Sequence, residues 1–154
     1  MFDLFIAYTN PCPHVHQHHQ QYTHTTNTYR YSRLLGKAEE SLGRKLPPNF
    51  TSQDVPAAAR ETCRNWFYKT ACIVDLLPRL LVETTLLRCY QFLTDDEMPQ
   101  ILSRLGSMCR GLGDPLVSTY ARTYLVVVGQ SVAPTATKYG IGMMQDIITS
   151  FKCV

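Results

Sequence analysis

The side chains best equipped for chemistry crowd the start of this 154-residue chain: Cys12, His14, His16, His18, His19 and His24. Imidazoles at alternate positions can chelate Zn²⁺ or Cu²⁺, and a nearby thiolate adds a soft ligand. A specific metal site also needs fixed geometry and a second shell of hydrogen bonds. The surrounding Thr, Gln, Asn and Tyr show no period of 2 or 3.6 that could bury a face, so residues 1–32 are expected to be a disordered His/Thr/Gln-rich tract. Binding there would be adventitious. Metal binding through His14, His16, His18 and His19 on a helical support stands as the alternative function, and no cofactor is expected.

Elsewhere the chemical motifs are incomplete. Gly111-Leu112-Gly113 echoes a dinucleotide loop, but Leu116 stands where a third glycine is needed and no strand precedes it. It reads as a helix C-cap followed by the next N-cap. All five histidines precede residue 25, so a Ser-His-Asp or Cys-His set would have to borrow from the tract. Asp95-Asp96-Glu97 could serve as paired carboxylates, but at a helix start it reads as caps and dipole partners. Asn49-Phe50-Thr51 fits a glycosylation sequon, relevant only to a secreted chain. The chain is not expected to be an enzyme.

Fifteen Lys and Arg against twelve Asp and Glu leave a net charge of +3, spread along the chain without the stripe that phosphate neutralisation needs. No nucleic-acid partner is expected. The apolar run Phe2 to Tyr8 carries Asp3 and is far shorter than the roughly 20 residues of a membrane span. The six cysteines form no Cys-x-x-Cys pair, and Cys63, Cys72, Cys89 and Cys109 lie in apolar helical stripes, so they read as buried thiols in a reducing compartment.

These residues must be positioned by helices. Residues 33–45 predict a short helix through Leu34, Leu35, Ala38 and Leu42, stopped by Gly43 and Pro47-Pro48; residues 33–53 form that helix and a linker. From residue 54 onward Pro56, Pro78, Pro99, Pro115 and Pro134 each mark a helix start, with Asp54, Asp75, Thr94 to Glu97, and Asp114 just ahead as caps. Ala59, Cys63, Trp66, Phe67 and Val74 make the first stripe, and Leu76 to Leu93 is apolar on more than one side and predicts the most buried helix. The third stripe is Met98, Ile101, Leu102, Leu105, Met108, Cys109 and Leu112. In the fourth, Leu116, Tyr120, Tyr124 and Val128 face inward, flanked by Val117, Ala121 and Leu125, with Ser118, Thr119, Arg122 and Thr123 outside.

The fold class is therefore all-α, an antiparallel array of helices. Starts about 20 residues apart give pairs of about 40, the period of HEAT or armadillo-like repeats. Residues 54–154 are expected to be an α-solenoid segment, with a closed bundle as the other option.

Several blocks also resemble a known family. Leu46-Pro47-Pro48-Asn49-Phe50-Thr51, Glu61 to Lys69, Leu77-Pro78-Arg79-Leu80 and Arg110 to Arg122 are similar to consecutive segments of the vacuolar protein sorting 35-like family over about residues 43–154. The resemblance implies the large α-solenoid scaffold of retriever, related to the retromer scaffold. It is non-enzymatic, cytoplasmic, recruited to endosomes, and acts in recycling of membrane cargo to the plasma membrane. The implied partners are an arrestin-like subunit, a metallophosphoesterase-fold subunit and the coiled-coil proteins of a larger assembly, with membrane association only through partners.

Carried onto this chain, the resemblance places the arrestin-like subunit against Pro78, Arg79 and Leu80, with Asp114, Pro115 and Arg122 in the next matching block. The residues themselves leave alternatives open. Arg79, a cation at a helix start, asks for an anion, and Asp75 or Glu83 one turn away would serve as well as a partner. Family scaffolds are several times longer, and Phe151-Lys152-Cys153-Val154 contains no Gly, Asn or Pro to close a helix. A fragment or truncated product is expected, one that lacks the distal solenoid needed by the metallophosphoesterase-fold subunit.

Overall fold

The computed structural model describes the backbone of residues 29–152 and the side chains of residues 29–150. The histidine tract therefore lies outside the described residues. Helix α1 is described over 29–42, so Tyr29 to Ser32, grouped with the tract from sequence, are helical. Gly43 ends α1 with φ 65°, a left-handed conformation that costs glycine least. A short 3₁₀ turn, Ser52–Asp54, leads into α2 (Ala57–Ala71), α3 (Leu76–Thr85), a 3₁₀ segment (Leu87–Phe92), α4 (Met98–Cys109), α5 (Pro115–Val132) and α6 (Lys138–Lys152). No strand occurs among the described residues.

Pro56, Pro78, Pro99 and Pro115 lie at or just inside helix starts, whereas Pro134 lies in the turn four residues before α6; the carboxylates ahead of them act in different ways. Asp114 is a true N-cap, accepting from the Val117 amide at 2.8 Å, with Pro115 at the first helical position. Asp54 instead turns back to the Thr51 amide at 2.8 Å and hydroxyl at 2.9 Å, and Pro56 itself stands at the α2 N-cap. Asp95 bridges 43 residues to the Ser52 amide at 2.8 Å and hydroxyl at 2.6 Å. Asp96 adopts φ 60° and Glu97 makes no side-chain cap bond. The acidic run is thus a loop clasp.

The long helix expected over Leu76 to Leu93 breaks at Leu86. The Thr84 and Thr85 hydroxyls donate to the carbonyls of Leu80 and Leu81, each at 2.8 Å, a back-bonding that loosens a helical turn. The break serves two cores. Leu86, Cys89 and Phe92 join Leu34, Phe50, Val55, Ala59 and Cys63, while Leu87 joins Leu80, Leu102, Leu105 and Leu125.

From α3 onward, helices touch both the next helix and the next but one: α3 packs on α4 and α5, and α4 on α5 and α6. Each of these helices is thus layered between several others. The buried face of α5 is rotated from the predicted one: the flanking Ala121 and Leu125 are buried and Thr123 is exposed as read, while Tyr124 and Val128 are only half-buried. Ser118, Ala121, Arg122, Leu125 and Gly129 are buried, whereas Leu116 and Tyr120 are exposed. Neighbours on several sides demand close approach, and small residues permit it: a Cβ on Gly129 would lie 2.9 Å from Leu102 Cδ2 and strike Tyr139 Oη. Val74, placed in the first stripe from sequence, lies beyond the end of α2 and is 97% exposed. Cys72, expected to be buried, caps α2 at its exposed end; Cys63, Cys89 and Cys109 are buried.

Candidate partner-binding site

Helix α3 begins at Asp75, whose extended backbone serves as N-cap without a side-chain bond, and Pro78 fits the first turn because no intrahelical acceptor awaits its missing N–H. The next residue, Arg79, is a cation at the positive end of the helix dipole. Its backbone N–H reaches the Asp75 carbonyl at 3.2 Å, yet its Nε is buried with no hydrogen-bond partner. Neither carboxylate considered from sequence takes it. Asp75 is in no ion pair among the described residues, and Glu83 is committed to Arg104 and to the Tyr90 hydroxyl, which donates to it at 2.6 Å. Leu80 is a core residue at 1% exposure.

The second set of residues is carried by the turn between α4 and α5, which leans on α3. A Cβ at Gly111 would lie 2.7 Å from Leu76 Cδ2, so a side chain there would displace the end of Leu76, and the glycine has no positive φ. Arg110 fastens the turn to α6 through Asp146 at 2.8 Å, a pairing that raises the guanidinium above its usual pKa.

Arg122, read from its stripe as solvated or paired locally, is not solvated: it is 3% exposed and bonded within its own helix. The Ser118 hydroxyl donates to the Cys109 carbonyl at 2.8 Å, and Arg122 Nη1 donates to the same hydroxyl oxygen. A cation linked through Ser118 to the C-terminal end of α4 is favourable to the dipole there. It partly offsets the burial that pushes the Cys109 thiol up to about 11. Arg122 Nε, however, is buried without a hydrogen-bond partner.

The structure thus sets Arg79 and Arg122 on two packed helices, α3 and α5, each with an unsatisfied buried nitrogen. Asp114 and Pro115 are exposed and shape the turn. The network of Glu83, Tyr90 and Arg104 went unread in the sequence, although a glutamate inside Leu-Leu-Val-Glu-Thr-Thr-Leu-Leu signalled a buried charge. Glu83 is buried, and desolvation together with that carboxylate drives the Tyr90 hydroxyl far above its ordinary pKa. Among the described residues no group of three or more His, Cys, Asp or Glu could hold a metal ion. No helix there is long and apolar enough to cross a membrane.

The fold defines an all-α protein of layered, packed helices. A family model described as VPS35L matches residues 26–154, beginning earlier than the blocks quoted from sequence. Proteins called "VPS35 endosomal protein-sorting factor-like" are similar: that of Mus musculus is 51% identical over 122 residues, covering 79% of this chain and 13% of that protein. That of Homo sapiens is 45% identical over the same length and shares, and that of Danio rerio is 48% identical over 107 residues, 70% of this chain and 11% of that protein. The chain belongs to the VPS35L family and spans about an eighth of the length of these relatives.

Proposed function

We propose that this chain is a non-enzymatic piece of an endosomal sorting scaffold, an α-solenoid segment resembling the retriever large subunit. It acts in the cytoplasm, recruited to endosomes, in the return of membrane cargo to the plasma membrane. Helices α3 and α5 hold the arrestin-like subunit. The metallophosphoesterase-fold subunit and the coiled-coil proteins of the larger assembly bind elsewhere on the full-length scaffold.

The observation that carries this reading is the unpaired state of Arg79. A guanidinium with a buried, unsatisfied nitrogen and no carboxylate in ion-pair range among the described residues is costly in the free protein. A carboxylate from the arrestin-like subunit would pair with this half-buried guanidinium. Arg79→Glu reverses the charge where a helix start favours an anion, so the helix is retained. Co-purification of the arrestin-like subunit is expected to be lost in this variant with the helical circular dichroism unchanged. Retained co-purification would reject the reading.

A further inference from the structure

The net positive charge, read from sequence as spread along the chain, is concentrated in its first half. Residues 29–92 contain ten Lys and Arg against six Asp and Glu, while residues 93–152 contain five of each. Two of the arginines lie over aromatic rings. The Arg30 Cζ lies 5.5 Å from the centroid of Trp66, and the Arg88 Cζ lies 4.2 Å from that of Tyr31. The rings are themselves anchored: Tyr31 meets Phe92 at 5.3 Å and donates to Gln91 Oε1 at 3.2 Å, and Trp66 packs against the first core. Both guanidiniums stand close enough to act on the buried Cys89 thiol, so they share one corner of the fold. Arg33 lies one turn along α1 from Arg30, and all three arginines are exposed.

A guanidinium over an aromatic ring keeps N–H donors for other partners, and its planar fork suits a carboxylate edge, although Arg88 also acts on the Tyr31 hydroxyl. None of the three is in an ion pair among the described residues, where the paired arginines are Arg64, Arg104 and Arg110. We propose that the corner formed by α1, α2 and the 3₁₀ segment is a docking surface for an acidic segment of a partner protein, gripped by Arg30, Arg33 and Arg88 over Trp66 and Tyr31. Three forks suit two or three carboxylates of a short peptide. A polyphosphate backbone or an anionic membrane asks for a longer basic surface than one flanked by Glu39 and Glu40. Residues 1–28 contain a single carboxylate, Asp3, and cannot supply the acidic segment.

Trp66 is the only tryptophan, so its emission reports directly on this corner. The full chain would be titrated with a synthetic ten-residue peptide half Asp and Glu, its Asn/Gln counterpart, phosphatidylserine vesicles and a single-stranded oligonucleotide. The acidic peptide is expected to shift Trp66 emission saturably, less so as salt rises. Arg88→Gln, which leaves the Arg30–Trp66 stack intact, is expected to weaken binding about tenfold through loss of charge-assisted hydrogen bonds. Arg64→Gln, already paired with Glu61 at 3.6 Å, is expected to leave it unchanged. The proposal is overturned by an absent shift, by equal binding of the amide peptide, or by unchanged affinity in Arg88→Gln. Vesicles or oligonucleotide bound more tightly than the peptide, and lost in the same variant, would overturn it as well.

Discussion

Arg122→Met separates stability from recognition. The side chain is 3% exposed, has one hydrogen bond through Nη1, an unpartnered Nε and no carboxylate in ion-pair range among the described residues. Exchange of a buried charge for an apolar side chain of similar length is commonly neutral or stabilising by about 1–4 kcal/mol, because desolvation of the ion outweighs its contacts. Against this stand one hydrogen bond from a charged donor, about 1.5–3 kcal/mol, and the favourable helix end, about 0.3–1 kcal/mol. Ser118 keeps its bond to the Cys109 carbonyl in the variant. The opposing ranges nearly cancel, so a change within about 1 kcal/mol of zero, or about 3 °C in Tm, is expected. Urea unfolding of the full chain, followed by circular dichroism, measures it. Arg122→Ala, which leaves a void, is expected to lose about 2 kcal/mol. A methionine variant less stable than the parent by more than about 1 kcal/mol would refute the reasoning, since it would reveal a compensated guanidinium. Should the arrestin-like subunit also engage Arg122, the methionine variant would fold as well as the parent and bind that subunit less.

Other perturbations test the frame around the site. Leu125→Ala, at a fully buried position between α4 and α5, is expected to cost about 2–5 kcal/mol in urea denaturation. A double-mutant cycle of Glu83→Gln and Arg104→Met is expected to return a coupling of about 0.5–3 kcal/mol, toward the lower end because the Arg104 side chain is 45% exposed. The Asp95 carboxyl is lowered below 3.8 by its hydrogen bonds to Ser52, so its stabilisation is present above the ordinary carboxylate range and lost as pH falls through the lower folded value. Asp95→Asn should flatten the acid limb of a Tm-against-pH curve. Burial pushes the Cys63 and Cys89 thiols up to about 12. Among the described cysteines, iodoacetamide with peptide mapping should therefore label Cys72 in the native protein and the others only on unfolding.

What the amino-acid sequence determined was the all-α class, several helix starts and stops, and the family. Pro115 and Asp114, Gly43 and the Ile101-to-Cys109 stripe act through local geometry and 3.6-residue spacing, which need no knowledge of neighbours. The quoted blocks carried the family because consecutive words in order are specific even in one chain. Tertiary structure decided which face of each helix is buried and which charges lack partners. On α5 the apolar stripe was legible, but contact with α3, α4 and α6 selected the small residues Ser118, Ala121 and Gly129 and drew Arg122 inward. Asp95 reaches Ser52 across 43 residues, a distance no local pattern encodes. The split of Leu76 to Leu93 likewise follows from Leu86 and Leu87 serving different cores. Burial depends on how many neighbours surround a helix, and that number is a property of the assembled fold.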